Sequence, residues 1–204
     1  MKHYLNILLK MNLLKKLLIG LLGMVSALVI ISLFLPSKFH IERSQSIGVP
    51  REVLFDQVNT LKNWEKWSPW HNLDPSMKLA YTGPSSGVGA SYNWQSQDAN
   101  VGNGKVTVKS MALGDSITVE MDFMEQGLAA ATYKFIPTDN GTNLIWKFDQ
   151  DLGENPVNKI FGALFLENML GKDFEKGLSN IDSLAKATLP TKIVPLPMSV
   201  VRSR

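Results

Sequence analysis

Few side chains in this chain could do acid-base or metal chemistry, and most of them stand apart. Of three histidines, His3, His40 and His71, only His71 has a nearby carboxylate, Asp74, in a loop that could border a pocket, so that pair is the one local arrangement that could handle a proton there. Tyr92 is the second candidate for proton chemistry. Both are weak as catalytic residues, because no recognisable constellation surrounds them: the chain contains no His-Glu-x-x-His helix, phosphate loop or Gly-x-Ser-x-Gly elbow. Gly87-x-Gly89 falls short of a dinucleotide fingerprint and reads as entry into a strand. Cysteine is absent, which excludes thiolate nucleophiles, disulfides and cysteine-rich zinc sites. Asp149, Asp151 and Glu154 follow a strand and read as a solvated turn rather than a metal site. No metal and no cofactor is expected.

Apolar recognition is better provided for. Asn63-Trp64-Glu65-Lys66-Trp67-Ser68-Pro69-Trp70 holds three of the five tryptophans. Pro69, followed by His71, Asn72, Asp74 and Pro75, opposes a continuing helix, so the stretch reads as one helical turn leading into a loop. Aromatics at such a junction can cap the core, border a pocket or meet a lipid interface.

Two helical segments and a run of strands must position these residues. Leu17 to Leu35 carries no charge; at 1.5 Å per residue it covers roughly 28 Å, close to the hydrocarbon thickness of a bilayer. It is longer than the apolar core of a signal peptide and ends in Ser32-Leu33-Phe34-Leu35-Pro36, a poor cleavage site, so it reads as an uncleaved anchor. Lys2, Lys10, Lys15 and Lys16 precede it, which orients the N-terminus to the cytoplasm and the rest of the chain to the periplasm or cell exterior. Met11 is an alternative start. The formal net charge is +3, but without those four lysines 17 basic residues face 18 acidic ones, so the basic character is N-terminal and nucleic acid is not an expected partner.

From Phe39 to Gln150 the pattern is mostly strands. Phe39 to Val49 alternates, Pro50 opens a short helix from Arg51 to about Leu61, and further strands follow at Lys78 to Tyr81, Gly89 to Gln95 and Lys105 to Lys109. The clearest is Ser116 to Phe123, with Ile117, Val119, Met121 and Phe123 on one face. Leu128 to Ile136 and Thr142 to Gln150 are joined by Asp139-Asn140-Gly141, a hairpin signal. Then Asn155 and Pro156 start a long helical run to about Ala187, its apolar stripe running from Val157, Ile160, Phe161, Leu164 and Phe165 to Phe174, Leu178, Ile181 and Ala185. A bend is expected near Gly171.

This order, with Glu42-Arg43-Ser44, Val53-Leu54-Phe55, the Trp-Ser-Pro-Trp stretch, Asp74-Pro75, Tyr81-Thr82-Gly83-Pro84, Gly87-Val88-Gly89-Ala90 and Asp173-Phe174-Glu175-Lys176-Gly177-Leu178, resembles the START-like, or SRPBCC, superfamily and within it the polyketide cyclase/dehydrase-type proteins. The resemblance implies an α+β helix-grip fold, a curved antiparallel sheet of about seven strands around a long C-terminal helix, here preceded by one transmembrane helix. The expected organisation is a basic segment over 1–16, an anchor over 17–35, a helix-grip domain over 39–187 and a flexible tail over 188–204. It also implies a cavity between sheet and helix, for which the ligand-binding candidates are Trp67, Trp70, Trp94, Val119, Met121, Phe135, Trp146, Phe161, Leu164 and Phe165. Each of these would serve equally in a packed core. The leading functional expectation is a membrane-anchored domain whose partners are the lipid bilayer and a hydrophobic or amphiphilic small molecule or lipid. A cyclase or hydrolase acting on an apolar substrate through His71 or Tyr92, and an envelope module docking through the tryptophans, are the alternatives.

Overall fold

A computed structural model describes residues 13–124 and 127–188. The expected basic start, up to residue 12, and the expected tail, from residue 189, lie outside the described residues. Helix α1, Leu13–Ser32, is long and apolar enough to cross a membrane. It ends three residues before the expected Leu35, where the Ser32 hydroxyl donates back to Val29 O at 2.6 Å.

Seven antiparallel strands form one sheet in the order β1-β7-β6-β5-β4-β3-β2. They are β1 (Lys38–Ile47), β2 (Lys78–Thr82), β3 (Ser91–Gln95), β4 (Asn103–Ala112), β5 (Ser116–Asp122), β6 (Leu128–Thr138) and β7 (Gly141–Asp151). The period-two pattern sets which face is inside: Ile117, Val119 and Met121 of β5 are buried, as are Tyr133 and Phe135 of β6 and Leu144, Trp146 and Phe148 of β7. A register shift in β4 between Val108 and Ser110 marks a bulge where the sheet bends.

Between β1 and β2 lie α2 (Arg51–Asn59), a tight turn at Leu61–Asn63, α3 (Trp64–Trp67) and α4 (Pro69–Leu73). The expected loop after Trp67 is therefore a second helical turn. Ser68 is extended, and Pro69, whose missing N–H costs nothing at a first helical position, starts α4 instead of ending the helix.

The C-terminal run also departs from expectation. It comprises α5 (Pro156–Phe161), one wide turn with i to i+5 bonding at Gly162–Leu166, and α6 (Glu167–Thr188). Asn155 caps α5 as its sequence predicts, accepting from Val157 N at 2.9 Å. No break occurs at Gly171. That glycine instead makes room for a guanidinium, since a Cβ there would collide with Arg43 Nη2. Arg43 thereby reaches Glu167 at 2.7 Å and Glu175 at 3.0 Å, fastening α6 to β1. Beyond it Phe174, Leu178, Ile181 and Ala185 are fully buried.

Candidate functional site

Between the concave face of the sheet and the first half of the C-terminal run lies a cavity of about 540 Å³. Its floor is Trp94, Val106, Met121, Trp146 and Phe148; its roof is Phe161, Leu166, Met169, Leu170 and Phe174. Trp64, Trp70 and His71 close one end, and a rim that includes Val101, Gly102 and Leu152 carries the polar side chains of Asn100, Asn103, Gln150 and Asn158. The volume and the ratio of apolar wall to polar groups suit a small organic ligand.

The tryptophan turns divide the labour. Trp67 is fully buried, donates to Gln57 O at 3.1 Å and meets Trp146 edge-on at 5.7 Å, so it is a core residue. Trp70, three residues on, is rotated by the break at Ser68 to the cavity end, where it packs edge-on against both Trp146 and Phe174. Asn180 of α6 donates to Trp67 O at 2.9 Å and fixes the turn to the helix. Trp146 lies flat on Phe174 at 4.1 Å, and its Nε1 has no hydrogen-bond partner among the described residues. A buried indole N–H without an acceptor costs about 1–3 kcal/mol, and this Nε1 has no accessible surface, so it is enclosed in the packing around the ring rather than turned to the open space.

His71 and Tyr92 share this cavity. Partial burial pushes the His71 imidazole below its ordinary value, only partly offset by Glu65 and Asp74, so the ring is neutral at pH 7. Burial raises the Tyr92 phenol, with Glu65 adding to the effect, and it keeps its proton. The pairing of His71 with Asp74 that the sequence suggests is not assembled. The Asp74 carboxylate instead accepts from Ser76 N at 2.9 Å and from the Ser76 and Ser96 hydroxyls at 2.6 Å, bonds that hold its own value below the usual carboxylate range. Asp74 thus ties the end of α4 to the strand β3 edge.

Of the residues named from sequence as ligand contacts, Trp70, Trp94, Met121, Trp146 and Phe161 line the cavity. Trp67, Val119 and Phe135 lie in the core behind it, without exposed surface. Leu164 and Phe165 do not face inward: both are exposed on the outer side of the wide turn, and Val157 is exposed with them. The stripe read as one buried face is therefore two stripes that point differently. Sequence reasoning missed the rim asparagines, Leu152, Asn158 and Leu170, whose only signal is proximity in the fold. The acidic trio is dispersed: Asp149 pairs with His40 at 2.7 Å, Asp151 caps Gly153 N and Glu154 pairs with Lys159. Among the described residues no group of three metal-ligating side chains converges.

A family model described as "Polyketide cyclase / dehydrase and lipid transport" matches residues 38–186. No curated protein matches the chain. Among solved structures, protein CV1439 from Chromobacterium violaceum superposes with a TM-score of 0.51 at 16% identity, over 71% of this chain and 96% of that one. A protein of unknown function, SA2116 from Staphylococcus aureus, gives 0.54 at 11%, over 73% and 96%. The di-domain ARO/CYC StfQ from the steffimycin biosynthetic pathway gives 0.58 at 12%, over 74% of this chain and 51% of that one. At such identities the likeness shows the fold.

Proposed function

We propose that this chain, which belongs to the polyketide cyclase / dehydrase and lipid transport family, is a membrane-anchored domain that holds one hydrophobic or amphiphilic molecule beneath α5 and α6. The observation that carries the reading is the 540 Å³ cavity, walled by aromatic and methionine side chains and provided with few polar groups. The apolar body of a ligand lies between Trp94, Met121 and Phe161. Its polar end is served by groups that line the cavity and retain hydrogen-bonding capacity: neutral His71 and the rim asparagines. In this reading α1 spans the cytoplasmic membrane with the N-terminus inside, and the domain stands on the outer side.

Native mass spectrometry of the full chain extracted in a mild detergent tests this. The expected result is an adduct of lipid-like mass that disappears when Met121→Trp fills the floor. A chain that is ligand-free under every gentle extraction, with Met121→Trp leaving the spectrum unchanged, overturns the reading.

A second reading is favoured by one observation, that His71 and Tyr92 line the same cavity, one as a neutral imidazole and the other as a phenol that keeps its proton. This would make the domain a cyclase-type enzyme. Turnover of an apolar substrate lost in both His71→Ala and Tyr92→Phe would support it, and turnover unaltered in both would dismiss it.

A further inference from the structure

The outer side of the helix that roofs the cavity is as apolar as its inner side. Val157 is 71% exposed, Phe161 43%, Leu164 60%, Phe165 51% and Met169 52%, and Phe161 and Phe165 pack ring to ring at 5.6 Å. The two charges within this stretch are both engaged elsewhere. Lys159 is buried and bonded to Glu154 at 2.8 Å, and Glu167 is held by Arg43. A contiguous exposed apolar ridge of this kind marks an interaction surface. Its neighbour says what covers it. Helix α1 contacts α5, and Ser32 is the buried residue of α1, so the contact is at the end where the apolar helix leaves its membrane-crossing length. Leu152 N donates to Ser37 O at 2.7 Å and pins that junction directly before α5. The far end of the sheet is the opposite pole: β1 runs from Lys38, paired with Asp151, to Ile47, paired with Thr142, and Arg51 just beyond lies against Gly114 in the β4–β5 turn.

We infer that the ridge from Val157 to Met169 is seated in the lipid interface beside α1, and that it forms the side through which the cavity exchanges its ligand with the bilayer. The inference rests on the reading of α1 as a membrane anchor and of the cavity as a lipid-sized site. Phe161 and Met169 belong to both surfaces, exposed on the ridge and lining the cavity, so lipid against the ridge is one side chain away from the interior. The wide turn at Gly162–Leu166 supplies the irregular backbone at that point. Interfacial segments bury such side chains roughly 5–10 Å into the boundary between headgroups and acyl chains.

The absence of cysteine permits a clean test with the full chain reconstituted in vesicles of phosphatidylethanolamine and phosphatidylglycerol. Phe165→Cys and, as the distal control, Leu113→Cys, 82% exposed in the β4–β5 turn, each receive an environment-sensitive fluorophore. The expected result is blue-shifted emission at position 165 that spin-labelled lipid quenches, with water-like, unquenched emission at 113. Equal, water-like emission at both positions overturns the proposal. So does shielding at 165 that ignores spin-labelled lipid and grows with protein density, since that places a second copy on the ridge. The variant Leu164→Glu, at an exposed side chain that does not line the cavity, should slow loading of a fluorescent phospholipid from vesicles several-fold while leaving binding of the same probe from detergent unchanged. Unaltered loading counts against the portal. Quenching at 165 without probe occupancy in either medium keeps the ridge and refutes the cavity reading; occupancy with a water-exposed ridge does the reverse.

Discussion

The two halves of the C-terminal helical run are built from similar residues and do different things. The second half, from Phe174 onward, lies directly on the sheet, with Phe174 stacked on Trp146 and Leu178, Ile181 and Ala185 fully buried. The first half, from Pro156 to Leu170, stands off the sheet, encloses a cavity on one side and exposes apolar side chains on the other. Hydrophobicity alone does not separate them; helical phase does. Phe165, exposed, and Phe174, buried, are nine residues apart, which at about 100° per residue is a rotation of about 180°, so the two could not face the same way in an unbroken helix. The wide turn at Gly162–Leu166 alters that phase only in part. What differs is thus the partner of each stripe: a sheet for one, cavity and outer surface for the other.

The largest effect expected from this difference is between two tryptophans three residues apart. Trp67→Ala removes a fully buried indole from the packed side and leaves Gln57 O without its donor, and the expected destabilisation is about 3–5 kcal/mol. Trp70→Ala opens the cavity end and should cost roughly 1–2 kcal/mol while abolishing ligand retention. Denaturant titration followed by circular dichroism, with native mass spectrometry on the same samples, reads both. Equal destabilisation by the two variants would break the division between a packed half and an open one.

How far the sequence reaches follows from the same residues. The strands were legible because alternation needs only a period of two, and Ile117, Val119 and Met121 of β5 all face inward as read. The hairpin, the Asn155 cap, the seven-stranded sheet and the helix-grip order were legible for equally local reasons. The cavity was legible only as an implication of family resemblance. Trp67 and Trp70 could not be told apart, because a helical turn leading into a loop assigns no face to Trp70, whereas extended Ser68 and the second helical turn after it direct that ring to the cavity end. Leu164 and Phe165 read as inward because periodicity reports that a face is apolar, not what covers it. Gly171 read as a bend because propensity is a property of the residue, while its use here is to admit Arg43, a contact made 128 positions away in the chain.

An intermediate effect tests how closely the packed half sits. A Cβ on Gly177 would lie 2.7 Å from Trp146 Cζ3 and 3.4 Å from Pro69, both parts of rigid rings. Gly177→Ala should therefore destabilise by about 1–3 kcal/mol in spite of alanine's better helix propensity. Gly171→Ala displaces the mobile end of Arg43 and should cost less, roughly 1 kcal/mol, through weakened pairing with Glu167. Thermal denaturation of the two variants ranks them. A stabilised Gly177→Ala would mean that the helix is free to lift from Trp146, and the packed half would then resemble the open one.

The smallest effect belongs to the open half and is a slope rather than a loss. Burial at the cavity end depresses the His71 imidazole below its ordinary 6.5, so the unfolded chain binds the proton more tightly than the folded domain does. Stability from this group is complete above 6.5 and declines as pH falls from there toward the lower folded value. Asp74, depressed by its serine hydroxyls, contributes in the same direction but lower on the scale, its stabilisation present above 3.8 and lost as pH falls through its folded value. His71→Gln should flatten the first decline in a plot of melting temperature against pH and leave the second in place. Because a ligand that fills the cavity excludes more water from His71, the loaded wild-type chain should show a steeper first decline than the empty one. A profile in which His71→Gln changes nothing between 6.5 and 3.8 would mean that the imidazole is solvated in the folded domain, and that the cavity end is open to water rather than closed by Trp70.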